Sequence, residues 1–170
     1  SIFKEHFGNL VNYELVMYNK KNIYLEIKLE RLKIDCYDLS ETNCLNKNFY
    51  DGKKLDSSIG VYAFINQETK ELEYIGQTVT PKNKNRSMSE RLAQYISKDP
   101  NNEPSTGNTL AKNYLYFNKS HSWSDYIDFL NNCYILTFEL PIESSKENYQ
   151  NILLIERAFL TLFDTKYNKK

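Results

Sequence analysis

The sequence predicts an α/β domain of the mixed α+β kind, and three patterns carry this prediction. Val61, Ala63 and Ile65 alternate with Tyr62, Phe64 and Asn66, and the segment 72–76 is strand-like again, which is typical of two strands. A third strand-like run, CYILTFELP, begins at Cys133. Two amphipathic stretches between these strands, GNTLAKNYLYF and SWSDYIDFLNN, and a third after Ser87 favour helices. We therefore expect three strands combined with several short helices.

The first two strands are predicted to form a hairpin, because the segment 67–71 between them is polar. A turn centred near Thr69 would place Tyr62 opposite Gly76. Tyr74 would then lie diagonally from Tyr62 on the same face, roughly 7 to 8 Å away at the backbone. Because Gly76 has no side chain, we expect the position that faces Tyr62 to stay open to a ligand or to another backbone. The alternative is that both tyrosines are ordinary sheet residues.

A helix is predicted to begin after Ser87, because a capping box is present. Ser87 can cap the helix while Glu90, three residues later, reaches back to the Ser87 amide. Arg91 and Tyr95 are four residues apart and share one helical face, so the helix would carry a guanidinium to the tyrosine surface. A solvated arginine on an amphipathic helix is the alternative. The apolar contacts that would dock this helix on the hairpin come from Met88, Leu92 and Ile96.

The order of these short motifs resembles the GIY-YIG nuclease family, and the resemblance extends from about Gly60 to Asn168. Its elements are GVY at 60–62, YIG at 74–76, Arg91, Glu156 in a late helix and KYN at 166–168. Val61 stands where the family name has isoleucine. The resemblance implies a small central antiparallel three-stranded sheet flanked by helices. It also implies one divalent metal ion per site and hydrolysis of a nucleic-acid phosphodiester.

The resemblance assigns catalytic roles to the matching residues. Tyr62 matches the tyrosine that acts as general base or orients the attacking water, Tyr74 the second active-site phenol, and Arg91 the arginine that stabilises charge on the phosphate. Tyr95 is a departure, because many members have histidine four residues after the arginine. A tyrosine with an ordinary pKa of about 10 is a poor base near neutrality. Tyr62 would therefore need nearby positive charge, from Arg91 or from the lysine-rich loop.

Glu156 matches the family's metal ligand, and Asn168 matches a terminal asparagine that supports the site. Mg²⁺, or Mn²⁺ in its place, typically takes one or two protein carboxylates plus waters and substrate phosphate. A single glutamate is thus consistent with a metal site completed by the nucleic acid. Glu156 lies among apolar neighbours, where an uncompensated charge is costly, so we expect it to have a partner. A structural salt bridge to Arg91 would also provide one.

Charge argues against a strongly basic nucleic-acid binder. The chain has 22 lysine and arginine and 22 aspartate and glutamate residues, and its pI of about 6.7 lies below the range typical of nucleic-acid-binding domains. Binding would then depend on local patches. If the loop before the helix and the C-terminal tail flank Tyr62, they form a basic rim around the site, with Gly76 as a further nucleic-acid contact, although a solvated flexible loop would have the same composition. Its residues are Lys82, Lys84 and Arg86 before the helix, and Lys166, Lys169 and Lys170 at the C-terminus.

Two regions are expected along the chain, an N-terminal extension at 1–55 and a nuclease-like domain at 56–170. Alternating apolar residues from Ile23 to Cys36 change phase near Arg31, which predicts a β-rich extension with one or two strands. This N-terminal extension would either pack against the small core or contact substrate. Because there is no apolar run near 20 residues, no signal-peptide pattern and no metal-like cysteine spacing, we expect a cytoplasmic protein with reduced thiols and no membrane partner.

The function that follows is a metal-dependent endonuclease of the restriction or mobile-element type. The resemblance favours DNA, although no residue distinguishes the 2′-hydroxyl of RNA. Restriction of a palindromic site would favour a homodimer. The alternative is a non-cleaving nucleic-acid-binding or interaction module that retains the GIY-YIG fold, which the neutral charge and Tyr95 favour. A scaffold without a nucleic-acid role is a third possibility.

Overall fold

A computed structural model describes residues 14–18, 24–28, 33–40, 55, 58–80, 82, 86–96, 104, 107–141 and 145–168. It is an α+β structure, as the sequence predicts. Its strands are β1 (Glu14–Tyr18), β2 (Tyr24–Lys28), β3 (Lys33–Asp38), β4 (Ser58–Asn66), β5 (Leu72–Gln77) and β6 (Cys133–Pro141). Its helices are α1 (Met88–Ala93), α2 (Thr109–Phe117), α3 (Trp123–Asn131) and α4 (Ser145–Leu162). No described helix is long and apolar enough to cross a membrane.

The main sheet is antiparallel and has four strands in the order β3-β6-β4-β5, so the expected count of three strands is wrong. The additional strand is β3, which pairs with β6 from Lys33 opposite Glu139 to Asp38 opposite Tyr134. It comes from the stretch assigned to the N-terminal extension, and the sheet therefore crosses the expected boundary between 1–55 and 56–170. The alternating pattern identified β2 and β3 as strands, but period alone does not identify a strand's partner. Strands β1 and β2 pair with each other.

The predicted hairpin register is confirmed. Strands β4 and β5 are antiparallel, with Tyr62 opposite Gly76 and Phe64 opposite Tyr74. The turn is closed by the Asn66 side chain, whose oxygen accepts hydrogen bonds from the backbone amides of Glu68 and Thr69 at 2.9 and 3.0 Å. Lys70 adopts the left-handed conformation, with φ of 60°, where the chain enters β5. Local turn chemistry therefore sets the register that brings the two tyrosines together.

Strand β4 separates two apolar cores, because successive side chains of a strand point to opposite faces. On one face Val61 and Ala63 pack against buried residues of α4 such as Ile155. On the other face Tyr62 and Phe64 pack with residues of β5, α1, α2 and α3. We call this second side the tyrosine face. It is defined by Tyr62, Phe64, Tyr74 and Tyr95.

Helix α1 packs on the tyrosine face as expected. The Ser87 hydroxyl caps it by accepting a hydrogen bond from the Glu90 amide at 3.2 Å, which satisfies one of the free N–H groups of the first turn. Met88, Leu92 and Ile96 are all buried in the core on this side. The cap and these three apolar anchors together fix which way Arg91 points.

The C-terminal segment runs along β5, the edge strand of the sheet. The backbone amides of Lys166 and Tyr167 donate to the carbonyls of Leu72 and Glu73. Exposed strand edges carry unpaired backbone groups, and this segment satisfies part of them. The tail of the chain thereby holds β5 in place next to the tyrosine face.

Candidate active site

Three of the predicted residues form one hydrogen-bonded group on the tyrosine face. The Arg91 Nε donates to the Tyr62 hydroxyl at 3.1 Å, and the Tyr62 hydroxyl donates to the Tyr95 hydroxyl at 2.8 Å. The Arg91 Nη2 donates to the same Tyr95 hydroxyl, and the guanidinium carbon lies 4.4 Å from the Tyr95 ring centroid. The Tyr95 hydroxyl therefore accepts hydrogen bonds from both Tyr62 and Arg91.

Tyr74 joins this group through ring packing. Its ring centroid lies 5.7 Å from that of Tyr95 and 6.3 Å from that of Phe64. Phe64 also packs edge-on to Tyr62, with centroids 6.1 Å apart. Rings at these separations and tilts attract each other beyond their burial. The aromatic packing therefore fixes the three phenols relative to one another.

Gly76 does not leave the open position that the sequence suggested. A Cβ built at Gly76 would lie 2.5 Å from the Tyr62 hydroxyl oxygen and 2.6 Å from the ring carbon that bears it. The ring of Tyr62 itself fills the space, because the two residues are direct partners in the sheet. The expectation of a gap for a ligand is thus wrong at this position. A direct role of Gly76 in nucleic-acid binding stays a prediction.

The three phenols are neutral near physiological pH. Tyr62 and Tyr95 are 0% exposed and Tyr74 is 6% exposed. Burial raises the pKa of each of them well above the ordinary value for tyrosine. The charge of Arg91 lowers the pKa of Tyr62, but this effect is smaller than that of burial. The positive field expected from Arg91 is present, yet Tyr62 is suited to donate or orient a hydrogen bond rather than to act as a base.

Arg91 is held by two further residues that sequence reasoning missed. Its Nη1 donates to the side-chain oxygen of Gln94 and to the Gly107 carbonyl at 2.8 Å. Four of the five guanidinium N–H donors are therefore used within the described residues. Gln94 follows Arg91 by three positions on the helix, a spacing at which side chains meet and which could have suggested the contact. A backbone carbonyl in a loop, such as that of Gly107, has no sequence signal.

Arg86 lies beside Arg91, as one member of the predicted basic rim. Its Nε donates to the Thr78 carbonyl at 2.6 Å. Burial and the neighbouring charge of Arg91 both lower the pKa of Arg86. The two guanidinium groups therefore repel each other. In contrast Lys82 is exposed, and three other rim residues, Lys84, Lys169 and Lys170, lie outside the described residues.

Glu156 lies on α4 and interacts electrostatically with Arg91. Burial raises the pKa of Glu156 to about 7, and the charges of Arg91 and Arg157 oppose this effect. The hydrogen bonds of Arg91 go to other partners, so the salt bridge considered as an alternative is not formed. Within the described residues Arg91 donates to Tyr62, Tyr95, Gln94 and Gly107.

A single half-buried carboxylate of this kind fits a divalent ion whose other ligands are water and substrate oxygens. The described residues contain no group of three or more histidine, cysteine, aspartate or glutamate side chains that could bind a metal. Any ion held by Glu156 would therefore depend on substrate to complete its coordination.

Asn168 supports the site from the outer edge of β5. Its side-chain oxygen accepts from the Ile75 amide at 2.8 Å, and its nitrogen donates to the Ile75 carbonyl at 2.7 Å. Ile75 stands between Tyr74 and Gly76. The two hydrogen bonds thus fix the backbone on either side of Ile75. This backbone carries Tyr74 and Gly76, the glycine that lies against the Tyr62 ring.

Comparisons of the chain with protein-family models, with curated proteins and with solved structures found no match. Any functional conclusion therefore has to rest on the motif order and on the geometry of these residues.

Proposed function

We propose that this protein is a metal-dependent endonuclease of the GIY-YIG type that hydrolyses phosphodiester bonds in DNA. The observation that carries the proposal is the convergence of Tyr62, Tyr74, Tyr95 and Arg91 on one sheet face, with Glu156 within electrostatic reach. Tyr62 comes from β4, Tyr74 from β5, Arg91 from α1 and Glu156 from α4, and Tyr95 lies just after the end of α1. This face carries an arginine and three hydroxyl groups among its buried apolar residues.

The polar groups of the site complement a phosphodiester. Arg91 and Arg86 offer only donors, and the Tyr62 and Tyr95 hydroxyls can donate because their protons are retained. A phosphodiester has only acceptor oxygens, and it carries the negative charge that two adjacent guanidinium groups require. In hydrolysis the same donors would stabilise the additional charge that develops on the phosphoryl oxygens.

A phosphate held by two hydrogen bonds would require an exchange of partners at Arg91, because four of its five donors are already used. Its Nη1 now donates to neutral acceptors, the side chain of Gln94 and the carbonyl of Gly107. A phosphate oxygen is a stronger, charged acceptor and would replace one of them. Tyr62 and Tyr95 are covered in this structure, so this exchange must also uncover their hydroxyls. Arg91 is therefore the residue that couples DNA binding to formation of the site.

Each residue then has a defined part in the reaction. Tyr62, a neutral phenol, orients the attacking water, and Arg91 stabilises the phosphate charge. Glu156 would hold Mg²⁺ or Mn²⁺, which when bound supplies charge stabilisation to the attacking or the leaving oxygen. Glu156 must lose its proton to bind a cation. Because its pKa is about 7, we expect activity to rise with pH through this value.

The second candidate is a non-cleaving nucleic-acid-binding module, which two observations favour. Tyr62 and Tyr95 are 0% exposed, and the chain has a formal net charge of zero. A buried tyrosine cluster stabilised by an arginine is also a sound structural core. In this case the basic residues would bind DNA without any cleavage.

Plasmid nicking separates the two candidates. With Mg²⁺ or Mn²⁺, we expect the protein to nick supercoiled DNA, and the variants Tyr62→Phe, Arg91→Ala and Glu156→Gln to lose this activity. Tyr116→Phe is the matched control, since Tyr116 is 62% exposed. DNA binding without nicking under either metal would support the binding module instead. Nicking that survives Glu156→Gln would remove the metal assignment alone.

The quaternary state follows from the same proposal. A single active site cuts one strand, so cleavage of both strands at a palindromic site would need a homodimer. Sedimentation velocity with and without a DNA duplex measures this directly.

A further inference from the structure

Two arginines lie next to each other at the proposed site, but they differ in how many of their hydrogen-bond donors are in use. Arg91 uses four of its five N–H donors on neighbouring acceptors. Within the described residues, Arg86 donates only through Nε, to the Thr78 carbonyl at 2.6 Å. This contact leaves both Nη groups of Arg86, the end of a guanidinium that can bind an anion by two parallel hydrogen bonds.

The Nε contact anchors Arg86 at the open end of the hairpin. Thr78 follows β5, and its amide donates to the Gly60 carbonyl at 3.0 Å while its hydroxyl accepts from the Gly60 amide at 3.1 Å. Gly60 precedes Tyr62 by two residues in β4. Arg86 is thus positioned near the tyrosine face by a backbone carbonyl that is itself tied to both strands.

Within the described residues, the positive charge of Arg86 has no carboxylate in ion-pair contact. Burial and then the charge of Arg91 lower the pKa of Arg86, and the opposing effect of Glu90 is smaller. The Arg86 side chain is partly exposed, whereas Tyr62 and Tyr95 are fully buried. Of the two arginines, Arg86 is therefore the one that can bind an anion from solution without first losing an existing contact.

We infer that Arg86 binds a backbone phosphate of the nucleic acid in this conformation of the protein, and that Gln94 and the Gly107 carbonyl keep Arg91 occupied until that phosphate is in place. The inference rests on the nucleic-acid partner of the proposed function, but it does not rest on cleavage. Its ligand is a phosphodiester anion, which has acceptor oxygens only.

The order of the two contacts follows from charge. An anion on Arg86 would offset the repulsion between the two guanidinium groups. It would also offer Arg91 a charged acceptor, which forms a stronger hydrogen bond than the neutral amide oxygen of Gln94. Binding at Arg86 therefore favours the release of Arg91 from Gln94.

A purely structural tie is the competing role of Arg86. Such a tie needs only the bond from Nε to the Thr78 carbonyl, and the charge would have no part in DNA binding. Salt dependence separates the two roles. Each backbone phosphate that a protein charge neutralises adds about 0.9 to the slope of log affinity against log salt, whereas a structural tie adds nothing.

Fluorescence anisotropy of a labelled DNA duplex, titrated with the protein in EDTA at several salt concentrations, tests the inference without cleavage. Arg86→Gln should weaken binding on the order of tenfold at low salt and lower the slope by about 1. Arg86→Lys keeps the charge and should keep the slope, but it loses the paired contact and should bind more weakly than the wild type.

Lys70→Asn is the matched control for the loss of one positive charge. Lys70 is exposed and lies in the turn, at the end of the hairpin opposite to Thr78. Its φ of 60° is one that asparagine tolerates. We expect this variant to bind the duplex with the affinity and the slope of the wild type.

Gln94→Ala tests the second half of the inference. It removes one acceptor of Arg91, so Arg91 should reach the phosphate at a smaller cost. Because a hydrogen bond contributes a modest net free energy, we expect the duplex to bind about twofold to tenfold more tightly. Unchanged or weaker binding would mean that Gln94 does not hold Arg91 back.

Several results would overturn the role of Arg86. These are an Arg86→Gln variant with the wild-type slope, at any affinity, and a protein that binds no duplex even at low salt. The proposed nuclease activity fails separately. DNA binding that depends on the Arg86 charge without nicking would contradict the nuclease and support this inference, whereas nicking that Arg86→Gln leaves unchanged would do the opposite. Circular dichroism checks folding, and Gln94→Ala, at a partly exposed position, decides the test if Arg86→Gln does not fold.

Discussion

Replacing Glu156 by glutamine should stabilise the metal-free protein while it removes nicking. The substitution keeps the shape of the side chain and deletes its charge. The folded state disfavours that charge because the carboxyl is buried, and the charges of Arg91 and Arg157 offset the burial only in part. Glutamine avoids this cost because it has no charged form.

The magnitude follows from the change in pKa. Burial raises the pKa of Glu156 from 4.5 to about 7, and each unit corresponds to about 1.4 kcal/mol, so the full effect is about 3 kcal/mol. The folded state binds the proton more tightly than the unfolded state. Stability of the wild-type protein therefore falls as pH rises from about 4.5 to about 7, and the whole penalty is present above that range. Below about pH 4.5 both states are protonated and the difference vanishes.

Urea unfolding followed by circular dichroism measures this effect in buffer that contains a chelator. We expect Glu156→Gln to exceed the wild type in free energy of unfolding by up to about 3 kcal/mol near pH 8, and to match it near pH 4. Glu68→Gln is the control, because it removes an exposed charge of the same sign. Adding Mg²⁺ near pH 8 should stabilise the wild type more than the variant.

The reasoning would be refuted by a variant that is less stable than the wild type near pH 8, or by a difference that does not change with pH. Either result would mean that the Glu156 charge is fully compensated in the folded protein. In the proposed function, the buried charge of Glu156 lowers the stability of the metal-free protein, and binding of the ion would restore it.

Three further substitutions probe the tyrosine face. Gly76→Ala should displace the Tyr62 ring and lower the free energy of unfolding by about 1 to 3 kcal/mol, measured by thermal denaturation. Asn168→Ala removes two hydrogen bonds to the Ile75 backbone and should cost about 1 to 3 kcal/mol by the same measurement, with reduced nicking. Tyr95→Phe removes the hydroxyl that accepts from Tyr62, which leaves a buried donor unsatisfied, and should lower both stability and the nicking rate.

Matched variants control for general damage. Gly107→Ala brings its Cβ to 2.8 Å from the Gln94 side-chain oxygen, a flexible group, and should cost less than Gly76→Ala. Tyr116→Phe removes a hydroxyl from a side chain that is 62% exposed and should be neutral. If Gly76→Ala has normal stability, the ring of Tyr62 does not depend on the bare glycine. If Tyr95→Phe nicks at the wild-type rate, the Tyr95 hydroxyl is not part of the proposed site.

Local patterns predicted the parts of the structure that local chemistry controls. The polar turn and the alternation in each strand set the register of Tyr62 opposite Gly76. The cap at Ser87 and helical spacing predicted the start of α1. Both depend on residues close in sequence, so a single sequence contains the whole signal.

The sequence by itself determined that strands, a capped helix and a set of chemically suited residues are present in this chain. Only the tertiary structure decided which of them meet. It added β3 to the sheet through pairing with β6, about a hundred positions away, and it filled the space at Gly76 with the Tyr62 ring. Burial, which depends on the packing of every neighbour, raised the pKa of Tyr62 despite Arg91 and raised the pKa of Glu156. Period and spacing do not encode these properties, because desolvation and strand partnership arise from contacts between distant parts of the chain.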